Sequence, residues 1–192
     1  MFLDNVQFEK GSYTSRNKIK TPQGCQWLTV PVITKGHMNA KIKDLCINNI
    51  SWKRKHLSSI GYSYRKAPDF ERKYALLEQL YHSEYELFAD MCYDHLLFWL
   101  RQSGIKTSVV RSIDLSIDCK GGGSKVVHDI CSYLGADFYI SGPQGVRYIN
   151  EESFRKSKIK IVYHDFKHPV YPQLWGDFVP NMGVIDWWMN VS

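Results

Sequence analysis

The sequence predicts a mixed α/β fold, a single domain over residues 1–192 whose β-sheet has mixed pairing and whose middle section is helical. Three observations predict it. Short β-type segments flank a turn signal in the first third. Apolar residues recur at helical spacing through the middle. Strand-type and helix-type segments alternate in the last third. A chain of 192 residues suits one core of ordinary size.

Each element follows from its own pattern. Phe2–Phe8 (FLDNVQF) alternates crudely and reads as a strand, and KGSYTSRN reads as a polar loop. KIKT and CQWLTVPV flank PQG, which predicts a hairpin. KIKDLCI at 41–47 reads as a further strand, although its alternation is poor. WKRKHLSSIGYSY reads as a helix that ends near Ala67-Pro68, and DFERKYALLEQLYH as a second one with Asp69 as N-cap. Ser83 with Glu86 three residues on resembles a capping box and predicts a third helix, stopped at Gly104. TSVVRS, ADFYIS and KIKIVYHDF read as strands; KVVHDICSYLG, EESFRKS and GVIDWWMN read as helices.

Hydrophobic content of 44% and charged content of 23% are those of a globular chain. The longest apolar runs, such as LLFWL at 96–100, are too short to span a bilayer. Met1-Phe2-Leu3-Asp4 has neither a basic n-region nor a cleavage site, so the expected location is the cytoplasm. Five cysteines without a CxxC pair predict buried reduced thiols and no metal framework. The net charge of +6 admits an anionic partner. Basic residues cluster only at WKRK (52–55), without an Arg/Gly tract or zinc-finger pattern, which argues against nucleic acid.

Several stretches carry candidate chemistry beside a plainer alternative. GGGSK at 121–125 precedes a helix and would cradle a phosphate, yet it lacks P-loop spacing, and a flexible loop with a Ser124 N-cap explains it as well. YISGPQGVRYI at 139–149 puts a tight turn between aromatic strand ends, where Tyr139, Gln144 and Tyr148 would ring a pocket. A plain Pro-Gly turn is the alternative. YHDFKHPVYPQLW at 163–175 offers His164 as a general base, with Tyr171 and Gln173 to orient a sugar or acyl group. His164 and Asp165 point to opposite faces of a strand and are not automatically a dyad. Pro169 argues against metal binding by His164 and His168. A nucleophilic Cys25 would need a base such as His56. His37, His82, His95 and His128 read as surface or packing residues, and Trp187 with Trp188 as packing anchors or an interface.

These pieces, in this order, resemble the WbqC-like family. The resemblance rests on LDNVQFEKGSYTSRNKIKTPQGCQWLTVPV at 3–32, YRKAPDF at 64–70, LGADFYISGPQGVRYI at 134–149, HPVYPQ and the closing GVIDWWMN. It implies that relatives carry a further strand and a His-Gln-Pro-x-Tyr-like stretch before Phe2, so that the domain as written is N-terminally incomplete. It implies a setting in O-antigen or other surface-polysaccharide synthesis, and transfer of glycine or another acyl group to an amino sugar. The implied partners are a nucleotide-linked amino sugar and an acyl or aminoacyl carrier protein, with no cofactor. The alternative is a non-catalytic binding or scaffold protein of the same pathway. At matching positions the resemblance points to Asp4, Gln7, Arg16 and Asn17 as a substrate-facing polar cluster, with Arg16 on a phosphate or carboxylate. Asp4 and His164 are then the catalytic candidates. Gly142, Gln144 and Gly145 would shape the pocket floor, Tyr171 and Gln173 its rim, and Asp186 would close it. The plainer alternative is that Asp4 and Asn17 satisfy loop backbone and Asp186 caps the last helix.

Overall fold

The computed structural model describes residues 1–34, 39–48, 51–117 and 122–191. His37, Cys119 and Gly121 lie outside the described residues. Helices and both antiparallel and parallel strand pairs are present, as the α/β expectation requires. The pairing is split between two small two-stranded sheets. The chain divides into two compact units, residues 1–110 with 168–192 and residues 111–167. No helix among the described residues is long and apolar enough to cross a membrane.

The first unit contains the predicted hairpin, β1 (Arg16–Thr21) and β2 (Gly24–Thr29), antiparallel with Arg16 opposite Thr29. Gly24 leaves the turn at φ +112°, a backbone angle that a side chain would strain. Three helices follow: α1 (Ser51–Tyr64), α2 (Phe70–His82) and α3 (Phe88–Gln102). A core of Ile19, Leu28, Ile60, Tyr64, Leu77 and Phe98 joins the hairpin to these helices. A second cluster of Leu45, Trp52, Phe88 and Met91 packs beside α3. The last helix of this unit closes the core with Ile185, Trp188 and Met189.

Four local expectations need correction. Phe2–Phe8 is not a regular strand; it makes single contacts such as the antiparallel bridge Gln7–Lys41. KIKDLCI folds into a 3-10 turn over Ile42–Asp44, consistent with its poor alternation. Ser83 and Glu86 do not cap α3. Backbone pairing of Ile47 N–H with the Glu86 carbonyl and Phe88 N–H with the Leu45 carbonyl holds this stretch extended, so the helix starts at Phe88. TSVV (107–110) forms no regular strand.

The second unit runs α4 (Gly123–Tyr133), β3 (Phe138–Ser141), a 3-10 turn, α5 (Glu151–Lys156) and β4 (Lys160–Tyr163). β3 and β4 pair in parallel, Phe138 opposite Lys160 and Ser141 opposite Tyr163. Cys131, Ile149, Phe154 and Ile159 form its core. Asn150 caps α5, its side chain accepting from Ser153 N–H. The helix α6 (Val184–Asn190), at the C-terminal end, belongs to the first unit.

Candidate functional site

A cavity of about 450 Å³ opens in the first unit between the β1–β2 hairpin, the three middle helices and the start of α6. One face of α3 supplies Phe88, Met91, Cys92, His95, Leu96 and Trp99, at the three- and four-residue spacing of a single helix stripe. Trp52 and His56 come from one turn of α1, and Tyr81 from α2. Arg16 and Asn17 border it from β1, and Val184 and Ile185 from α6, with Gly183 just before that helix.

His56 is buried, and both ring nitrogens have partners. Nε2 lies 3.1 Å from the Thr29 carbonyl, which can only accept, so Nε2 carries the proton. Nδ1 is then free to accept the Tyr81 hydroxyl at 3.3 Å. Burial lowers the His56 pKa to about 4, against a smaller opposing effect of the Thr29 bond. Burial likewise lowers His95 to about 4. Its ring lies 5.5 Å from that of Tyr81. Both imidazoles are therefore neutral at pH 7, and burial raises the Tyr81 hydroxyl above its ordinary range. The Cys92 thiol is pushed up to about 12 and stays protonated, which makes it a poor nucleophile.

Arg16 stands at the border of this cavity. Its guanidinium lies 4.2 Å above the Trp27 ring and donates through Nη2 to the Gly11 carbonyl. Its Nε is buried and has no partner among the described residues. The same is true of Trp52 Nε1. Both atoms belong to residues that border the cavity, but neither has accessible surface of its own.

Three further expected residues form one knot beside the cavity. Asp186 is fully buried, and its carboxylate accepts from Tyr64 at 2.5 Å, Tyr171 at 2.8 Å and Gln173 at 2.7 Å. Gln173 also bonds both backbone groups of Val179 it can reach, donating to the carbonyl and accepting from the N–H. Burial and the Asp186 bond raise Tyr171 to about 12. These side chains anchor α6, whose first residues form a cavity wall. Gly183 sits so close to β1 that a Cβ would lie 3.1 Å from the Lys18 carbonyl.

The other expected residues lie elsewhere. Asp4 is buried, and its carbonyl accepts from Lys43 N–H. Gln7 is exposed and bonds Asn39. In the second unit, His164 is exposed at the end of β4, its N–H on the Ser141 carbonyl. A Cβ on Gly142 would lie 3.7 Å from His164 Nε2, so these two are neighbours at the C-terminal ends of the parallel strands. Gln144 and Tyr148 are exposed, and Tyr139 stacks on Phe154 at 5.6 Å. Gly145 is buried, and a Cβ there would meet Ser141 Oγ at 2.0 Å and Ile149 Cδ1 at 2.8 Å. Ser124 does not cap α4; its hydroxyl accepts from Asn150 N–H. Cys25 is exposed beside Met182, against the expectation of buried thiols, and His56 is bonded elsewhere.

The model of the WbqC-like protein family matches residues 1–192, the whole chain. The chain belongs to the WbqC-like family. A relative, the uncharacterized protein Rv1507c of Mycobacterium tuberculosis, is 30% identical over 194 residues, which covers 100% of this chain and 83% of that protein. No solved structure matches. Of the WbqC-like residues expected from sequence, Arg16 and Asn17 border the cavity. Sequence alone reads His95 as a surface or packing residue, gives His56 only a conditional role, and does not single out Tyr81 or Trp52 as a site residue. The available signal was the α3 stripe, which carries a histidine among Phe88, Met91 and Trp99.

Proposed function

We propose that this WbqC-like protein transfers an acyl or aminoacyl group to the amine of a nucleotide-linked amino sugar, in the synthesis of O-antigen or another surface polysaccharide. The observation that supports this most is a cavity lined by neutral imidazoles and bordered by the Arg16 cation. Amide formation needs a base for the amine proton, and a histidine can serve only while unprotonated. His95 is unprotonated at pH 7 and has no hydrogen-bond partner among the described residues, unlike His56. Burial makes it a weaker base than an exposed imidazole, and the proton it accepts is readily given up. Arg16 supplies a fixed positive charge for the phosphate of a substrate. Asn17 is exposed beside it and serves as a neighbouring polar contact.

The test is a direct one. The protein is incubated with UDP- and dTDP-linked amino sugars and with acyl or aminoacyl thioesters, and the amide is sought by mass. Amide that depends on the protein supports the reading. Sugar binding without amide from any donor would replace it with the binding or scaffold role.

A further inference from the structure

We infer that the groove between α2 and α3 is where a second copy of this chain docks, the two α3 helices lying antiparallel about a two-fold axis so that Asp94 of each faces Arg101 of the other. This surface is separate from the cavity, and the inference is independent of the transferase reading.

Three observations carry it. The first is the groove itself. It holds about 480 Å³ and is lined by Leu76 and Leu80 of α2 and by Leu97 and Phe98 of α3. Phe98 is buried, and the three leucines are half-buried. Among the described residues, Leu97 packs into neither core cluster of this unit. At about 3.6 residues per turn, residues 94, 97, 98 and 101 form a stripe on the far side of α3 from the cavity-lining residues 88, 92, 95 and 99.

The second is the charge on that stripe. Asp94 and Arg101 are both exposed and both line the groove. They stand two turns apart, roughly 10 Å along the axis, too far to pair with each other. The Asp94 carboxylate accepts from the Tyr85 hydroxyl at 3.0 Å, and Arg101 pairs with no carboxylate among the described residues.

The third is the symmetry of the pattern, which chooses the occupant. A two-fold interface needs a patch that complements itself, so that each residue meets its counterpart twice. The midpoint between Asp94 and Arg101 falls between Leu97 and Phe98. A copy of α3 turned about that midpoint brings Asp94 onto Arg101 at both ends and Leu97 onto Phe98 at the axis. A partner of another kind has no need of this spacing. The apolar centre supplies the burial. Exposed ion pairs contribute little on their own, so the two charges set orientation and register, and like charges in the same places oppose docking.

The test is sedimentation equilibrium of the full chain at low salt over a range of concentrations. The wild type should show a monomer–dimer equilibrium. Arg101→Asp and Asp94→Arg each place like charges at both ends of the axis, and each should weaken the dimer at least about tenfold. Mixed in equal amounts, the two variants should associate again, because one copy then carries both acids and the other both cations. Leu97→Glu puts a charge on the axis and should abolish the dimer. Thermal melts check each variant; if Asp94→Arg, which loses the Tyr85 bond, does not fold, Arg101→Asp and Leu97→Glu decide. A wild type that stays monomeric up to about 1 mM overturns the inference and leaves the groove to some other partner. A dimer unchanged by Arg101→Asp and Leu97→Glu overturns it and places the contact on another surface. Failure of the two folded charge variants to associate when mixed also overturns it.

Discussion

The Tyr64 hydroxyl donates to the Asp186 carboxylate at 2.5 Å, joining α1 to α6 across 122 residues of chain. Both side chains are fully buried. Burial first, and the Asp186 charge second, hold the Tyr64 hydroxyl far above its ordinary pKa, so it remains a donor. Tyr64→Phe removes one of the donors to a buried carboxylate. A hydrogen bond to a charged group contributes about 1.5–3 kcal/mol, and the variant should lose about that much in urea unfolding. Because α6 carries Val184 and Ile185 on the cavity wall, with Gly183 just before it, ligand affinity should fall with stability.

Stability should depend on pH through the two cavity histidines. His56 and His95 are held near pKa 4 when folded, against 6.5 when unfolded. Between those values the unfolded chain binds more protons, so acid favours unfolding. The contribution of both groups is fully present above about pH 6.5 and is lost as pH falls toward 4. Each group adds a slope of up to about 1.4 kcal/mol per pH unit within that window. Urea unfolding of wild type and His95→Gln between pH 7.5 and 5 checks this; the variant should show a visibly shallower decline. An equal slope in both proteins would mean that His95 titrates normally.

Gly145→Ala should destabilise the second unit. The new Cβ would lie 2.0 Å from Ser141 Oγ and 2.8 Å from Ile149 Cδ1. The serine can rotate, but Ile149 belongs to the core of that unit. Overpacking of this kind costs about 1–3 kcal/mol. Faster hydrogen exchange over β3, the 3-10 turn and α5 is the expected readout, with α1 to α3 unaffected.

The helices were readable because their apolar spacing and stop signals are local. α1, α4 and α6 fall within a few residues of where WKRKHLSSIGYSY, KVVHDICSYLG and GVIDWWMN place them. The hairpin was readable from PQG between two β-type runs. The start of α3 was not, because it is set by pairing of residues 86–88 with 45–47, some 40 residues away, which no local cap signal encodes. The candidate site was partly readable. Arg16 and Asn17 came from the likeness of residues 3–32 to the WbqC-like family. Trp52, Tyr81 and His95 come from three different helices, and only packing brings them together. Asp186 came from the likeness to the WbqC-like family, and its use is to fasten α6 through Tyr64, Tyr171 and Gln173.

The central claim is that the chemistry belongs to the cavity of the first unit and its neutral His95. The most direct measurement is the rate of amide formation by wild type, His95→Gln and His164→Gln, each checked for an unchanged melting curve. General-base catalysis contributes about 10²- to 10⁴-fold, so His95→Gln should lose at least about a hundredfold while His164→Gln keeps the wild-type rate. A wild-type rate in His95→Gln together with a collapse in His164→Gln would contradict the account and move the chemistry to the C-terminal ends of β3 and β4.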